Sequence, residues 1–486
     1  MPDSYVLRFA GTSVEIATFT RAEGVDFGTR DLLRFQHIEA PFDLVSLQQK
    51  SAGVRKMAFP LIFRASAPGL NLGLEDAEAL LRKLAQPGAT IDLKPQGATT
   101  ATRFNILSGR YEVDYNVHHN REGFRLATLR LDTEPFGYWP TIITLASVAS
   151  MALPGNITWA GSVIGDAPGL ARVIFQPTVA SSIAAGSWMH DFIAWSVHSR
   201  ASYLGLIQAA SLGLFAGASL LNDGFAPASQ AVRYAASQNQ ADWFQLTAYQ
   251  LASALEPALR GRHRAFAWMR VEPSQALPWY VAIDTVPQIN PSAALASAQP
   301  VATIAPAVAS GTPGAFGAQP SPAYTLVDLG EIALPATASG IGGDQRIRLW
   351  AAPATSNVGV ASPVLLVGAL GLLPIDGDAH GVLPRGLAYP SILTPSAGKL
   401  IVDATNRQVT INDRALDMGT ANPALNGWQH YRGVLPYIAT GGRLDAIGAT
   451  RKTAASGATM PPVHNAPAWT SVSVQYMPRF QFLKGL

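Results

Sequence analysis

The chain has no cysteine among its 486 residues, which excludes disulfides and thiolate metal sites. It is also short of charge. Asp, Glu, Lys and Arg make up 14% of it and apolar residues 48%, whereas roughly 25% charged is usual for a soluble domain. A chain so poor in ionic groups cannot cover its own surface with polar atoms; it lies in a membrane or meets other protein over much of its exterior. Lysine is scarcest: arginine outnumbers it 28 to 7, and the planar, weakly hydrated guanidinium suits interface hydrogen bonding. The formal charge of +3 is too small to define a nucleic-acid binder. The densest basic stretch, RGRHRAFAWMR at 260–270, alternates with apolar residues and reads as a solvated strand face before a nucleic-acid patch. The start, MPDSYVLRF, lacks the basic-then-apolar order of a secretion signal.

Long apolar runs are nearly absent. YLGLIQAASLGLFAGASLL at 203–221 has the length of a bilayer span, about 20 residues. Gln208, its serines and glycines, and the following Asn222 and Asp223 favour a segment buried in protein over a membrane helix, and no membrane partner is expected.

Catalytic and cofactor motifs are missing as well. SAGKL lacks the upstream glycine and the trailing Ser/Thr of a phosphate loop, and GIGGD at 340–344 has no βαβ context. There is no G-x-S-x-G elbow and no H-E-x-x-H helix. His118 and His119 are adjacent in a hairpin loop, where neighbours point to opposite faces, and make a poor metal pair. DGDAHG (376–381) begins like a calcium loop with Asp376 and Asp378, but His380 at the fifth position and Leu387 at the twelfth exclude an EF-hand; an ordinary turn is the default, with a structural calcium of another kind left open. Trp188, Trp195, Trp243, Trp268, Trp279 and Trp350 invite a sugar-stacking reading, yet most sit in period-two strands, where core packing is the usual role. No catalytic, metal or glycan-binding residue is assigned, no cofactor is expected, and the chain reads as no enzyme.

What is present is strand and turn. Gly 43 and Pro 35 punctuate short stretches of period-two alternation, and the length suggests two to four domains. The first 140 residues hold strands at 5–19, 57–68, 89–95, 104–119 and 122–133. One helix, LEDAEALLRKLAQPG (74–88), carries Ala77, Leu80, Leu81 and Leu84 as a single stripe, with acids in its first turn and Pro87 and Gly88 as its stop. The strand FRLATLRLDT (124–133) runs into EPFGYW, and from Glu134 to Asp166 no charged residue intervenes; that stretch is expected to pack against protein, with another subunit as one candidate. About eight strands follow between 166 and 375, interrupted by an uncharged Ala/Pro-rich excursion at 285–327. AGKLIVDATNRQVTIND (397–413) reads as a hairpin and TSVSVQYMPRFQF (470–482) as a closing strand.

In their order and spacing, FPLIFRA, LEDAEALLRKLAQPG, FNILSGRYEVDYN and LATLRLDTEPFGYW resemble the N-terminal part of the distal tail and minor tail proteins of long-tailed, non-contractile bacteriophages. GDAPGLARVIFQP, GRHRAFAWMRV, LVDLGEIALP and RIRLWAAP resemble the carbohydrate-module-like jelly rolls these proteins carry, and KLIVDATNRQVTIND with VSVQYMPRF their closing domain. The resemblance implies a mainly β protein in three parts: a tail-tube-like β-sandwich with one packed helix at 1–140, a jelly-roll β-sandwich at 141–378, and a small β-rich domain at 379–486. It implies a structural virion protein of the tail tip, assembled in the bacterial host cytoplasm. Its first domain would form a homo-oligomeric, hexameric ring joining the tail tube to hub and tip proteins. Its jelly rolls would project toward host-surface glycan, and DNA would meet it only by passage through the lumen. A lectin-like adhesin and a tip glycosidase are the two alternatives.

Overall fold

The computed structural model describes residues 3–21, 23–28, 33–39, 45–52, 54–64, 73–116, 122–159, 163–177, 188–199, 205–215, 217–223, 226–227, 229–235, 244–251, 261–271, 279–287, 302–304, 324–334, 345–353, 364–377, 379–383, 399–411, 414–415, 432–433, 435–438, 442–452 and 468–480. It is mainly β, as the alternation predicts, with antiparallel sheets and one α-helix among the described residues. The chain divides into two units. Met1–Ile143, Val163–Leu170 and Tyr476–Leu486 form the first; Thr144–Ser162 and Ala171–Gln475 form the second.

The first unit opens with a hairpin, Ser4–Phe9 and Thr12–Glu15. Ala10 and Gly11 both have positive φ, 47° and 82°, the two-residue turn whose twist matches its strands. Ser4–Phe9 pairs with Thr90–Lys94, which pairs with the start of Thr102–Asp114. That long strand then changes sheets. Past an irregularity between Ile106 and Ser108 it pairs with Phe124–Thr133, whose other neighbour is Arg55–Arg64. Leu7, Phe59, Leu61, Ile91, Leu93, Phe104, Leu129 and Leu131 close the core between the sheets. The helix Leu74–Leu84 lays Ala77, Leu81 and Leu84 on this core, the stripe its spacing predicts.

The helix end is seated by a glycine. A Cβ on Gly109 would lie 2.2 Å from the Ala85 carbonyl oxygen and 2.8 Å from the Ala85 Cβ, so only a residue without a side chain lets the strand pass beneath it. Gly109→Ala is expected to destabilise the first unit by about 1–3 kcal/mol, read as a lower urea midpoint at unchanged slope. An unshifted midpoint would show that the helix does not rest there.

Asp92 holds the sheet laterally, accepting from Arg8 Nε at 2.8 Å and from Arg103 Nε and Nη2 at 2.6 and 2.8 Å. Burial alone would raise its carboxyl, but the Arg103 and Arg8 hydrogen bonds and charges outweigh it and hold the group below the usual range. A depressed carboxyl contributes stability above its unfolded value, about 3.9, and loses it as pH falls through the folded one. The stability gap between wild type and Asp92→Asn should therefore be full at neutral pH and shrink below about pH 4. A gap that stays constant to low pH refutes this role.

The aromatics after Pro135 fasten the last strand to this unit. Gly137 and Tyr138 pair with Phe480 and Arg479. The Trp139 and Phe480 rings lie 5.1 Å apart, the Arg479 guanidinium sits 4.7 Å from the Phe136 ring, and Trp139 N donates to the Pro478 carbonyl at 3.0 Å. The Tyr138 hydroxyl donates to Asn105 Oδ1 at 2.9 Å. Buried Arg55 donates to the carbonyls of Phe27 and Pro135 at 3.0 and 3.2 Å.

The second unit contains a sandwich. Its eight principal strands in chain order are Gln230–Ala235, Phe244–Leu251, Gly261–Val271, Trp279–Pro287, Ala302–Ile304, Thr325–Leu334, Gln345–Pro353 and Val364–Pro374. One sheet runs first, eighth, third, sixth, with Ala218–Asn222 added at its edge; the other runs second, seventh, fourth, fifth, with Gly213–Leu214 added. Val232, Ala267, Met269, Leu329 and Val367 of one sheet meet Leu246, Val281, Ile347 and Leu349 of the other.

The first of these sheets is covered on its second face too. Phe266, Trp268, Leu326 and Leu366 pack against Ala194, Val382 and Ile447, which belong to a further sheet ordered Gly155–Thr158, Arg443–Lys452, Trp188–His198, Ala379–Leu383, Arg432–Gly433. This explains VLLVGALGLLP. The strand Val364–Pro374 is buried at every residue, and a strand with core on both faces loses the polar half of its alternation. Trp195 faces the other way and meets Phe175 at 6.2 Å. The hairpin Leu400–Asp403 with Gln408–Ile411 forms as read and pairs with 172–175. Val472 and Val474 of the closing strand Ala468–Phe480 are buried on one face.

The stretch 203–221 differs from expectation. It is divided among Leu206–Gln208, a 3-10 turn at Ala209–Ser211, Gly213–Leu214 and Ala218–Asn222; Ile207 and Ala209 are buried, whereas Leu214 and Leu220 are exposed. No helix among the described residues is long and apolar enough to cross a membrane. Of the excursion 285–327, only 285–287, 302–304 and 324–327 are described.

Candidate functional site

Period-two alternation sorts the tryptophans. Trp195 and Trp279 are wholly buried and Trp268 nearly so; the side chains of Trp188 and Trp243 lie outside the described residues, as do His118, His119, Asp378 and Leu387. Trp350 is placed differently. On Gln345–Pro353, Ile347, Leu349 and Ala351 point into the sandwich core, so Arg348 and Trp350 are turned away from it. Asp284 lies directly across from Arg348 on the neighbouring strand.

These three side chains form one rigid group. Arg348 donates from Nε and Nη2 to the two Asp284 oxygens at 2.9 and 2.5 Å, a bidentate pair. Trp350 Nε1 donates to Asp284 Oδ1 at 3.0 Å, and the Arg348 guanidinium lies 4.8 Å from the Trp350 ring centroid. The half-buried indole is thereby fixed in orientation, and Ala282 opposite leaves it room. A fixed, partly exposed indole beside a charged pair can take the apolar face of a ring-shaped ligand. Trp350 was one of six candidates in the sequence; its distinguishing partner, Asp284, was not legible.

The basic strand is not a free cationic patch. Arg262 pairs with Glu331, Arg264 with Asp328 at 2.7 Å, and Arg270 with Asp223 at 3.0 Å, while His263 is fully buried. Asp223 also accepts from the Tyr324 hydroxyl at 2.8 Å, and burial, then this bond and the carboxylate charge, raise that phenol well above its ordinary range. His380 lies on Ala379–Leu383 opposite Ser196, and burial pushes its imidazole below the usual value. Asp376 accepts from the Arg262 backbone N–H at 3.2 Å, as a turn residue does. His198 and Asp445, 247 residues apart, are hydrogen-bonded within the core, where Arg443 also donates to Asp445; nothing in their spacing announces it. Among the described residues no three His, Asp or Glu side chains could hold a metal ion.

No family model matches the chain, and no curated protein matches it. Among solved structures it is similar to the Dit protein of phage SPP1, described as a hub adsorption apparatus of phages infecting Gram-positive bacteria. The identity is 10%, covering 42% of this chain and 73% of that one, with a TM-score of 0.24. Similar values relate it to the phage P2 baseplate in its calcium-activated conformation: 12% identity, 43% and 77% coverage, TM-score 0.23. The VP2 subviral particle of infectious bursal disease virus aligns over 93% of this chain and 83% of that one at 10% identity and a TM-score of 0.15. The first two neighbours are phage tail hub and baseplate proteins; identities and TM-scores of this size do not establish a common fold.

Proposed function

We propose that the chain is a structural component of a phage tail tip. Its first unit would be a ring-forming platform between the tail tube and the hub and tip proteins. The observation that supports this most is the composition of the first unit. It gathers Met1–Ile143, Val163–Leu170 and Tyr476–Leu486 into antiparallel strands with one helix packed on their common core. A charged fraction of 14% fits subunits that bury area against one another. This reading assigns no catalysis to the chain.

The second unit is read as a jelly roll followed by further β-structure, on the strand order first-eighth-third-sixth over second-seventh-fourth-fifth, which is how two Greek keys fold into a double sheet. Folds of this kind serve many functions. One observation favours host-surface glycan as the ligand, namely the fixed Trp350 beside Asp284 and Arg348. Two experiments separate the roles. Gold-labelled antibody to the chain should mark the distal end of the tail, and its absence from purified particles overturns the tail-tip reading. On an array of host-wall polysaccharides, Trp350→Ala should abolish binding while leaving particle assembly intact; wild type that binds nothing removes the glycan role alone.

A further inference from the structure

Enclosed polar atoms in folded proteins are hydrogen-bonded, and a donor left without an acceptor needs a reason. Two such donors flank Trp350 on one sheet face. On Gln345–Pro353 the core takes Ile347, Leu349 and Ala351, so Arg346 shares the outward face with Arg348 and Trp350. Arg346 is partly exposed, yet its Nε is enclosed with no hydrogen-bond partner among the described residues. Arg262, Arg264, Arg270 and Arg348 of the same unit each have a carboxylate; Arg346 has none among the described residues. Gln245 lies directly across from Trp350 on Phe244–Leu251, and its amide nitrogen is likewise enclosed without a partner.

The carboxylate of this face cannot answer them. Asp284 already accepts from Arg348 through both oxygens and from Trp350 through Oδ1. Its charge cancels that of Arg348, and Arg346 stays cationic because arginine does not deprotonate at accessible pH. Drawing a guanidinium partly out of water without an acceptor costs free energy. An oxygen of negative charge on a ligand offsets that cost through charge-assisted hydrogen bonds.

We propose that the glycan stacked on Trp350 is anionic and that Arg346 holds its acidic group. This rests on the glycan reading given above and adds the charge of the ligand to it. Trp350 and Arg346 stand on the same face of one strand, two side-chain repeats apart, about 13 Å by the usual rise of a strand. The acidic group therefore belongs to a neighbouring sugar and not to the one that stacks, and the ligand is an acidic oligosaccharide. A uronate carboxylate and a phosphodiester would both satisfy the guanidinium.

Binding of the full chain to the acidic and the neutral polysaccharide fractions of a host wall tests this. The acidic fraction is also offered after carboxyl reduction and after removal of its phosphodiesters. Wild type should prefer the acidic fraction. Arg346→Ala should weaken that binding about tenfold, the scale of one hydrogen bond to a charged group, and erase the preference, while Arg346→Lys should keep part of it. Loss on carboxyl reduction identifies a uronate, and loss on phosphodiester removal a phosphate. Equal binding of both fractions by wild type, undiminished binding by Arg346→Ala, or indifference to both chemical treatments overturns the inference. If Trp350→Ala still abolishes binding in those cases, the glycan role itself stands. A wild type that binds neither fraction overturns both.

Discussion

Asp284→Ala should cost the second unit about 3–5 kcal/mol, the usual consequence of removing the carboxylate from a buried ion pair. Arg348 is 1% exposed, and both hydrogen bonds in its bidentate pair end on Asp284. Without that carboxylate the guanidinium keeps its charge, because arginine does not deprotonate at accessible pH, and the Trp350 ring at 4.8 Å replaces only a fraction of the lost interaction. Asp284→Asn should fall between, since an amide still accepts one bond. The decisive control is the double replacement Asp284→Ala with Arg348→Met. It removes the guanidinium together with the carboxylate and should recover most of the loss, as apolar replacements of buried pairs do. Urea unfolding followed by tryptophan fluorescence reports it. A single-variant loss below about 1 kcal/mol, the range of surface pairs, would mean that water reaches Arg348.

That prediction also marks where sequence reading stops. The helix Leu74–Leu84, the hairpin at 400–411 and the buried face Val472, Val474, Tyr476 all follow from periodicity, because each is fixed by residues a few positions apart. Asp284 and Arg348, 64 residues apart, and His198 and Asp445 have no such signal; their meeting depends on which strands become neighbours. The same holds for Gly137 and Tyr138, whose proline-and-aromatic cluster says only that something packs there, while the partner proves to be residues 479–480. Val364–Pro374 was visible as a strand, but its burial on both faces comes from a third sheet, which brings Ile447 to within 2.8 Å of where a Cβ on Gly371 would stand. The uncharged 135–165 reads as one packed connector. In the structure its described residues are divided among the aromatic clasp, the strand Ile143–Leu153 with Met151 and Leu153 buried, and Gly155–Thr158 paired with Arg443–Ala446, and absence of charge alone cannot tell these apart.

The second large effect is expected at Glu78, where helix propensity and ion pairing pull apart. A glutamate in the middle of an amphipathic helix is ordinarily a solvated residue, and the stripe Ala77, Leu81, Leu84 gives no reason to bury it. The hairpin beside the helix supplies the reason. Arg125 donates to Glu78 Oε1 at 2.9 Å and the Tyr115 hydroxyl to Oε2 at 3.0 Å, while Arg82 one turn on lies 3.8 Å away. Glu78 and Arg125 side chains are 9% and 11% exposed, so the pair is shielded from salt, and its geometry ties the helix to both Phe124–Thr133 and the end of Thr102–Asp114. Glu78→Ala takes from shielded Arg125 its carboxylate, with the Tyr115 ring at 5.8 Å still beside it, and an expected loss of about 3 kcal/mol, insensitive to added salt. Because the helix otherwise holds by one apolar stripe, the loss should be local first. Amide exchange across 74–84 should accelerate well before the strands of the same unit respond. If exchange in helix and strands rises together, Glu78 stabilises the unit as a whole; if neither changes, the ion pair contributes nothing, and hydrophobic burial alone holds the helix in place.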